Sequence, residues 1–394
     1  MNILLIAPQP FFQDRGTPIA VRLLAESLGA EGHSIHLLTY HEGEDIVLPN
    51  VVIHRSPKPP GISSVPPGLS AKKLICDAFL FLQLLRLLRN HAFDLIHAVE
   101  ESVFMAMVCR AWKRIPYVYD MDSCMSMQIL DKFPALRLLR RPMEQAEKIA
   151  AGGSVGILAV CPSLAETARG YAPTRPVACL EDIPLESDPA QGEEWLRERY
   201  DITGPLLMYV GNLENYQGID LLLESFHRLL RREGNASLVI IGGSPDSIER
   251  YRRQARRLGI ADRTCFCGPR PVSLLGFYLE QADILVSPRI KGNNTPMKIY
   301  SYLDSGIPVL ATNLLTHTQV MDDEIACLVP PDPEAMAQGM QRLLHDDELR
   351  RRLGQRARQR VEEEYSLAAY RKKLLGFYRS LPQPAGEASP LNDA

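Results

Sequence analysis

Three cations lie close together in the stretch 287–309. Arg289, Lys291 and Lys298 are interleaved with Asn293, Asn294, Thr295, Pro296 and Met297. An apolar run ends at Ser287, and a helical pattern resumes after the loop. Thr295 reads as the N-cap and Pro296 as the first helical residue, because a threonine hydroxyl accepts a free backbone N–H and a proline has none to leave unpaired. The free N–H groups and the dipole of a helix start favour an anion. With three cations around it, such a start suits a diphosphate. Taken alone, the segment is read equally well as a surface loop with solvated bases.

Two glycine turns accompany it. Tyr209-Val210-Gly211-Asn212 runs from an apolar stretch through Gln217 and Gly218 into an amphipathic one, and Ile240-Ile241-Gly242-Gly243-Ser244 ends another apolar run. Glycine lets a backbone approach a ligand closely, and it also serves purely structural turns. Neither turn is G-x-G-x-x-G or G-x-x-x-x-G-K-[ST], which argues against a dinucleotide dehydrogenase and a P-loop NTPase. In the first half, Arg15-Gly16-Thr17-Pro18 joins the first apolar run to the first helical one. Tyr119-Asp120-Met121-Asp122-Ser123 puts two carboxylates at the end of another run. Either carboxylate can bond sugar hydroxyls or take an acceptor proton, or cap the next helix.

The elements that must position these residues follow from periodicity. Apolar runs at 2–7, 35–40, 51–54, 94–98, 117–120, 156–160 and 176–180, and again at 206–210, 238–241, 265–267, 284–287, 309–311 and 326–329, are apolar throughout. Parallel strands covered on both faces read this way. Helical stretches at 19–28, 220–232, 247–258 and 297–305 lie between them, so the expected fold is α/β, built from βαβ units. Two such series predict two Rossmann-like domains facing across a cleft, with ligands beyond the C-terminal strand ends. The expected limits are 1–185 and 186–365, then a helix 366–381 packing back on the first domain and a disordered tail 382–394. The acidic, Pro-containing stretch 181–194 is the linker. The Arg- and Glu-rich stretch 346–364 reads as a solvated helix face.

Composition narrows the function classes. A chain of 394 residues with net charge -3 gives no global electrostatic case for nucleic-acid binding. Its eight cysteines show no zinc-site spacing and fit a reducing, cytoplasmic compartment. No apolar run is long enough to span a bilayer, and the short apolar start lacks the marks of a signal peptide. Leu69 to Arg89, and the shorter Ala135 to Arg141, mix leucines with lysine and arginine. Either the leucines face the core, or a basic amphipathic helix makes a peripheral contact with an anionic membrane.

At these residues the chain resembles the retaining, family-4-like glycosyltransferases of GT-B fold. The resemblance is carried by Gly16-Thr17, Leu24-Ala25-Glu26-Ser27-Leu28, Gly32-His33, Asp94-Leu95-Ile96-His97, Gly211 and Gly218, and Ser305-Gly306-Ile307-Pro308-Val309-Leu310-Ala311-Thr312, in that order. It implies a hexosyl-type transferase of polysaccharide or glycolipid biosynthesis that needs neither metal nor cofactor. The second domain would hold a nucleoside-diphosphate sugar. The first would dock an acceptor hydroxyl, whose identity the sequence does not give. Transfer would proceed with retention, through an oxocarbenium-like transition state, and the base would sit near Gly268, Pro269 and Arg270. The departures are specific. The family's two glutamates fall on Asn293 and Ser301, its diphosphate-binding Arg and Lys on Asn212 and Gln217, and a common first-domain histidine on Asp122. Tyr302 is placed to assist Ser301 at the ribose, and Arg289, Lys291 and Lys298 to take over charge neutralisation. The competing readings are a non-catalytic relative that binds nucleotide or glycan, and a GT-B epimerase or phosphorylase.

Overall fold

The computed structural model describes residues 1–13, 16–62, 65, 70–186, 192 and 194–382. The expectations placed on Arg15, Leu69, Pro189 and the tail beyond 382 fall outside these residues. Two compact units divide the chain, one formed by residues 1–181 with the chain from 371 onward, the other by 182–370.

The first unit holds seven parallel strands: β1 (Asn2–Ile6), β2 (Ser34–Thr39), β3 (Val51–Arg55), β4 (Leu95–Val99), β5 (Tyr117–Met121), β6 (Gly156–Ala159) and β7 (Val177–Cys179). Their order is β3-β2-β1-β4-β5-β6-β7, paired parallel throughout. Ile3, Leu4, Leu5 and Ile6 are all without exposed surface. A strand covered on both faces has no reason to alternate polar and apolar residues, so the unbroken apolar runs are accounted for.

The helix Ala71–Asn90 opens on Ser70, whose Oγ accepts from Lys73 N at 3.2 Å. It turns Cys76, Leu80, Leu84, Leu87 and Leu88 to the core. Each such leucine contributes roughly 1.5–3 kcal/mol by leaving water. The core reading therefore holds for these leucines, while Leu74, Ile75 and Leu82 face outward.

The last helix, Leu367–Ser380, enters the first unit at Arg371. Lys373 Nζ bonds Glu181 Oε2 at 2.7 Å, and Phe377 and Leu381 lie so close over Gly156 that a Cβ there would meet both within 3 Å. The first boundary falls at 181/182 rather than 185/186. Glu181 is tied to Lys373, whereas Leu185 N already donates to Ser301 Oγ of the second unit at 3.0 Å.

The second unit holds six parallel strands: β8 (Leu206–Val210), β9 (Ser237–Ile241), β10 (Thr264–Gly268), β11 (Ile284–Ser287), β12 (Val309–Thr312) and β13 (Cys327–Val329), in the order β10-β9-β8-β11-β12-β13. The strand order reverses between β8 and β11. In open α/β sheets, ligands bind outside the C-terminal ends of the strands at that reversal. Gly211 follows β8 and the three-cation loop follows β11. Among the described residues, no helix is long and apolar enough to cross a membrane.

Candidate functional site

Close backbone approach builds the floor of the site. Gly211 (φ 146°) donates its N–H to Ile241 O at 3.0 Å. A Cβ on Gly242 would lie 2.2 Å from Gly211 O, and one on Gly243 would meet Leu213 at 2.5 Å. These contacts hold the turns after β8 and β9 together. Tyr209 Oη donates to Asn212 O at 2.6 Å, and Asn212 Oδ1 accepts from Glu214 N at 3.3 Å, so Asn212 shapes its own loop. Gln217 is buried, and its Oε1 has no partner.

Gly218 (φ 75°) packs its Cα on the turn after β11, where an added Cβ would lie 1.9 Å from Pro288 O. Gly218→Ala therefore combines left-handed backbone strain with a clash against backbone. It is expected to cost about 3 kcal/mol, read as a lowered unfolding midpoint of the purified protein. An unchanged melt would contradict this packing.

The three-cation loop is fixed from several sides. Arg289 is 8% exposed and folds back on the loop, with Nε donating to Lys291 O at 2.9 Å and Nη1 to Asn294 O at 3.3 Å. Its guanidinium sits 5.2 Å from the Tyr216 ring centroid. Gly292 (φ 142°) leaves room for it, since a Cβ there would lie 2.4 Å from Nη2. Thr312 Oγ1 bonds Arg289 O at 2.5 Å, Thr316 Oγ1 bonds Asn294 O at 2.7 Å, and Gln319 Nε2 bonds Asn293 O at 3.0 Å. Lys291, Asn293 and Asn294 are exposed.

The helix after this loop is Lys298–Asp304, which begins two residues later than expected. Thr295 is not its N-cap. Ile299 N and Tyr300 N bond Pro296 O and Met297 O, so a tight turn precedes the helix, and Met297 occupies the cap position without a side-chain bond. Thr295 is instead buried, with Oγ1 unpartnered.

Lys298 is the most unusual group in the unit. Its stem is half-buried, but its Nζ is buried and has no hydrogen-bond partner. Nζ stands 3.7 Å from the Tyr209 ring centroid, a cation–π contact. A Cβ on Gly211 would lie 3.4 Å from it. Burial, then the nearby Arg289 charge, pushes its ammonium well below the ordinary lysine value. A buried cation without a counter-charge is costly, and a bound anion removes that cost.

Ser301 and Tyr302, expected at the ribose, are engaged elsewhere. Ser301 Oγ accepts from Leu185 N. Tyr302 is fully buried, and its Oη accepts from Val210 N at 2.7 Å. Tyr302 anchors the end of β8 and has no surface for a ligand.

Arg270 also differs from expectation. It grips Glu194 with two bonds of 2.7 and 2.9 Å, and Tyr278 Oη adds a third at 2.8 Å. The bonds from Arg270 come first among the causes that push the Glu194 carboxyl down to about 2. With the folded value below the ordinary 4.5, the stabilisation is present above 4.5 and lost as pH falls through about 2. Arg270→Ala is therefore expected to lower the melting temperature at neutral pH while leaving nucleotide preference unchanged. A changed preference with an unchanged melt would return Arg270 to the base site.

Sequence reasoning missed His317, which lies under the site with no exposed surface. Its Nδ1 is 2.8 Å from the Thr312 carbonyl, which only accepts, so Nδ1 carries the hydrogen and Nε2 accepts from Ser287 Oγ at 2.9 Å. This neutral ring ties the ends of β11 and β12 together. Burial is the first cause that brings its value down to about 4.

In the first unit, Gly16 opens the helix Gly16–Ala30 with Thr17 half-buried behind it, and Asp122 is half-buried just past β5. Asp120 Oδ2 lies 3.1 Å from Nε2 of the buried His97, whose Nδ1 is 2.7 Å from Tyr378 Oη. Glu100, another group missed in sequence, accepts from Ser123 Oγ at 3.2 Å. Burial, then the Glu101 charge, raises its carboxyl to about 7. Its only sequence signal is a pair of glutamates directly after β4. The buried Glu147 accepts from Ser126 N at 3.2 Å and so holds the segment that follows Asp122. Among the described residues, no group of His, Cys, Asp and Glu could hold a metal ion.

A doubly wound parallel sheet in each unit, with a glycine-lined, cation-bearing switch point in the second, defines a GT-B architecture. Comparison with known proteins agrees. Residues 196–360 match the family described as Glycosyl transferases group 1, and residues 15–179 match Glycosyltransferase Family 4. The chain belongs to the family-4-like group of GT-B glycosyltransferases.

Among curated relatives, it is similar to alpha-D-kanosaminyltransferase of Streptomyces kanamyceticus, at 27% identity over 47% of this chain and 48% of the relative. It is also similar to D-inositol 3-phosphate glycosyltransferase of Corynebacterium glutamicum, at 30% identity over 50% and 49%. The chain spans about half the length of the curated relatives it matches. Its fold is that of sucrose-phosphate synthase from Thermosynechococcus elongatus, with a TM-score of 0.78 at 20% identity, covering 96% of this chain and 98% of the other. It is also that of HepE from Anabaena, solved in complex with UDP-glucose, with a TM-score of 0.73 at 14% identity, covering 97% and 100%.

Proposed function

We propose that the chain is a retaining glycosyltransferase that moves a sugar from a nucleoside-diphosphate sugar to an acceptor hydroxyl, with Lys298 meeting the donor diphosphate. The observation that carries this is the buried, unpartnered Lys298 Nζ beside Gly211 at the strand-order reversal. A diphosphate there pairs the buried ammonium and supplies the counter-charge it lacks. Arg289 holds the loop and adds its field, and the Gly211 and Gly243 turns leave room for the phosphates. Asn293 takes the family's first glutamate position and bonds sugar hydroxyls as a neutral group.

As the glycosidic bond breaks, negative charge grows on the leaving diphosphate. A fixed cation in a water-poor site stabilises that charge without reorganising. Lys298 and Arg289 do this without a metal ion. On the acceptor side, we assign Asp122 and Glu100 to bind or deprotonate the hydroxyl. Burial holds the Glu100 carboxyl above its ordinary range, which suits a base. The nucleotide-sugar donor accords with the UDP-glucose held by HepE. Eight free cysteines accord with a cytoplasmic setting.

The test is incubation with UDP-, GDP-, ADP- and dTDP-sugars and a panel of hydroxyl acceptors, followed by product analysis. A new glycoside with the donor's anomeric configuration is expected. An inverted product would overturn retention. Donor binding with no conversion across the panel would favour a non-catalytic relative.

A further inference from the structure

We infer that the helical face of the first unit spanning residues 71–153 is a docking surface for an anionic phospholipid bilayer. Two independent observations meet on this face, one apolar and one electrostatic.

The first is apolar. Among the described residues, nineteen large hydrophobic side chains are exposed, and twelve of them lie between Leu74 and Ile149. They fall at helical spacing on outward faces. Phe104, Val108 and Trp112 recur every fourth residue along the helix Ser102–Lys113. Ile75 and Leu82 lie on the outer face of Ala71–Asn90, whose inner face is the buried leucine row. Leu138, 93% exposed, and Leu139 end the turn Pro134–Leu139 that leads into the helix Arg140–Gly153.

These helices share one side of the sheet. Leu80 and Leu84, Val103 and Ala106, and Ala150 and Ala151 belong to a single core cluster with Tyr117 and Tyr119 of β5. The handedness rule gives the same placement, because the connections β3 to β4, β4 to β5 and β5 to β6 all advance in one direction along the sheet. Exposed apolar groups gathered on one face mark an interaction surface.

The second observation is charge. On the same stretch Lys72, Arg86, Arg89, Lys113, Arg114 and Lys148 are exposed, as are the arginines at 137, 140 and 141. Among the residues of 71–153 whose burial is described, Asp94 is the one exposed acid. The whole chain carries -3, so this face is basic against an acidic remainder. Lys113 Nζ lies 4.6 Å from the Trp112 ring centroid, pairing an amphipathic ring with a cation at the helix end.

Basic groups interleaved with apolar side chains match a bilayer interface, where the apolar groups enter the acyl boundary and the cations meet headgroup phosphates. A second copy docked face to face would set nine cations against nine, which disfavours self-association through this surface. Donor chemistry in the second unit does not enter the inference, which stands whether or not transfer is observed.

The experiment is co-sedimentation of the full chain with vesicles of phosphatidylcholine alone and of phosphatidylcholine with about one third phosphatidylglycerol. Binding to the anionic vesicles alone is expected, weakening as salt is raised. The double variant Trp112→Ser, Leu138→Ser and the double variant Arg86→Glu, Arg89→Glu are each expected to lower the vesicle partition coefficient on the order of tenfold. All four positions are exposed, and unchanged melting curves would confirm that the variants fold. Absence of binding to anionic vesicles overturns the inference. So does binding that neither variant weakens, and so does a concentration-dependent dimer by light scattering that the Trp112→Ser, Leu138→Ser variant abolishes.

Discussion

Lys298→Met is expected to lower kcat/KM for the nucleotide-sugar donor by about a hundredfold to a thousandfold, the range seen when one fixed donor to a developing anion is removed. The substitution keeps the stem that lies along Tyr209 and removes only the charge. It also relieves the buried, unpartnered ammonium, so the melting temperature of the free protein is expected to stay level or rise. Loss of turnover with retained or increased stability distinguishes a ligand-facing lysine from a structural one. The effect should fall on kcat as well as KM, because charge on the diphosphate grows as the sugar leaves. A parallel loss of stability and activity would mean that Lys298 holds the fold.

The second large effect is a sensitivity to acid built into the floor of the same site. His317 is neutral in the folded chain with a value of about 4, against an ordinary 6.5. Between those values the unfolded chain takes up a proton that the folded chain refuses. Stability contributed here is therefore complete above 6.5 and lost as pH falls toward 4, by up to about 3 kcal/mol. Burial is the first cause, and the Lys298 and Arg289 charges add to it.

Asp77 and Glu100 work in the opposite sense. Burial raises their carboxyls to about 6 and about 7, so falling pH favours the folded first unit at those two groups. The measurement is thus a difference: unfolding free energy from pH 7 to 5 for the unaltered protein and for His317→Asn, which keeps a neutral polar group. The slope with pH is expected to be steeper in the unaltered protein. Equal slopes would contradict a neutral, buried ring.

The frame of the fold was legible because the inner strands, such as Asn2–Ile6, Leu206–Val210 and Ser237–Ile241, are almost unbroken apolar runs. Parallel strands covered on both faces leave no polar alternation to confuse with a helix. The glycine turn after β8 and the three-cation loop after β11, both singled out in sequence, lie at the strand-order reversal.

Side-chain partners were less legible, for physical reasons. Thr295 followed by Pro296 carries the local chemistry of a helix start. The chain makes one more tight turn before the helix, and nothing in the threonine's own neighbours records that. Arg270 and Tyr302 look available in sequence, but their partners, Glu194 and Val210, are 76 and 92 positions away. His97 and Tyr378 are 281 apart. Periodicity reports on a residue's own element and is blind to such pairs. Lys298 was singled out for its charge. What sets it apart from Arg289 and Lys291 is burial without a partner, which only the assembled unit displays.

The most direct test is titration calorimetry of UDP, GDP, ADP and dTDP into the unaltered protein and into Lys298→Met. At least one nucleotide should bind the unaltered protein. Lys298→Met should bind it more weakly, because the buried ammonium that pairs the diphosphate is gone. Equal affinity in both proteins, or no binding of any nucleoside diphosphate, would contradict a donor site built around Lys298.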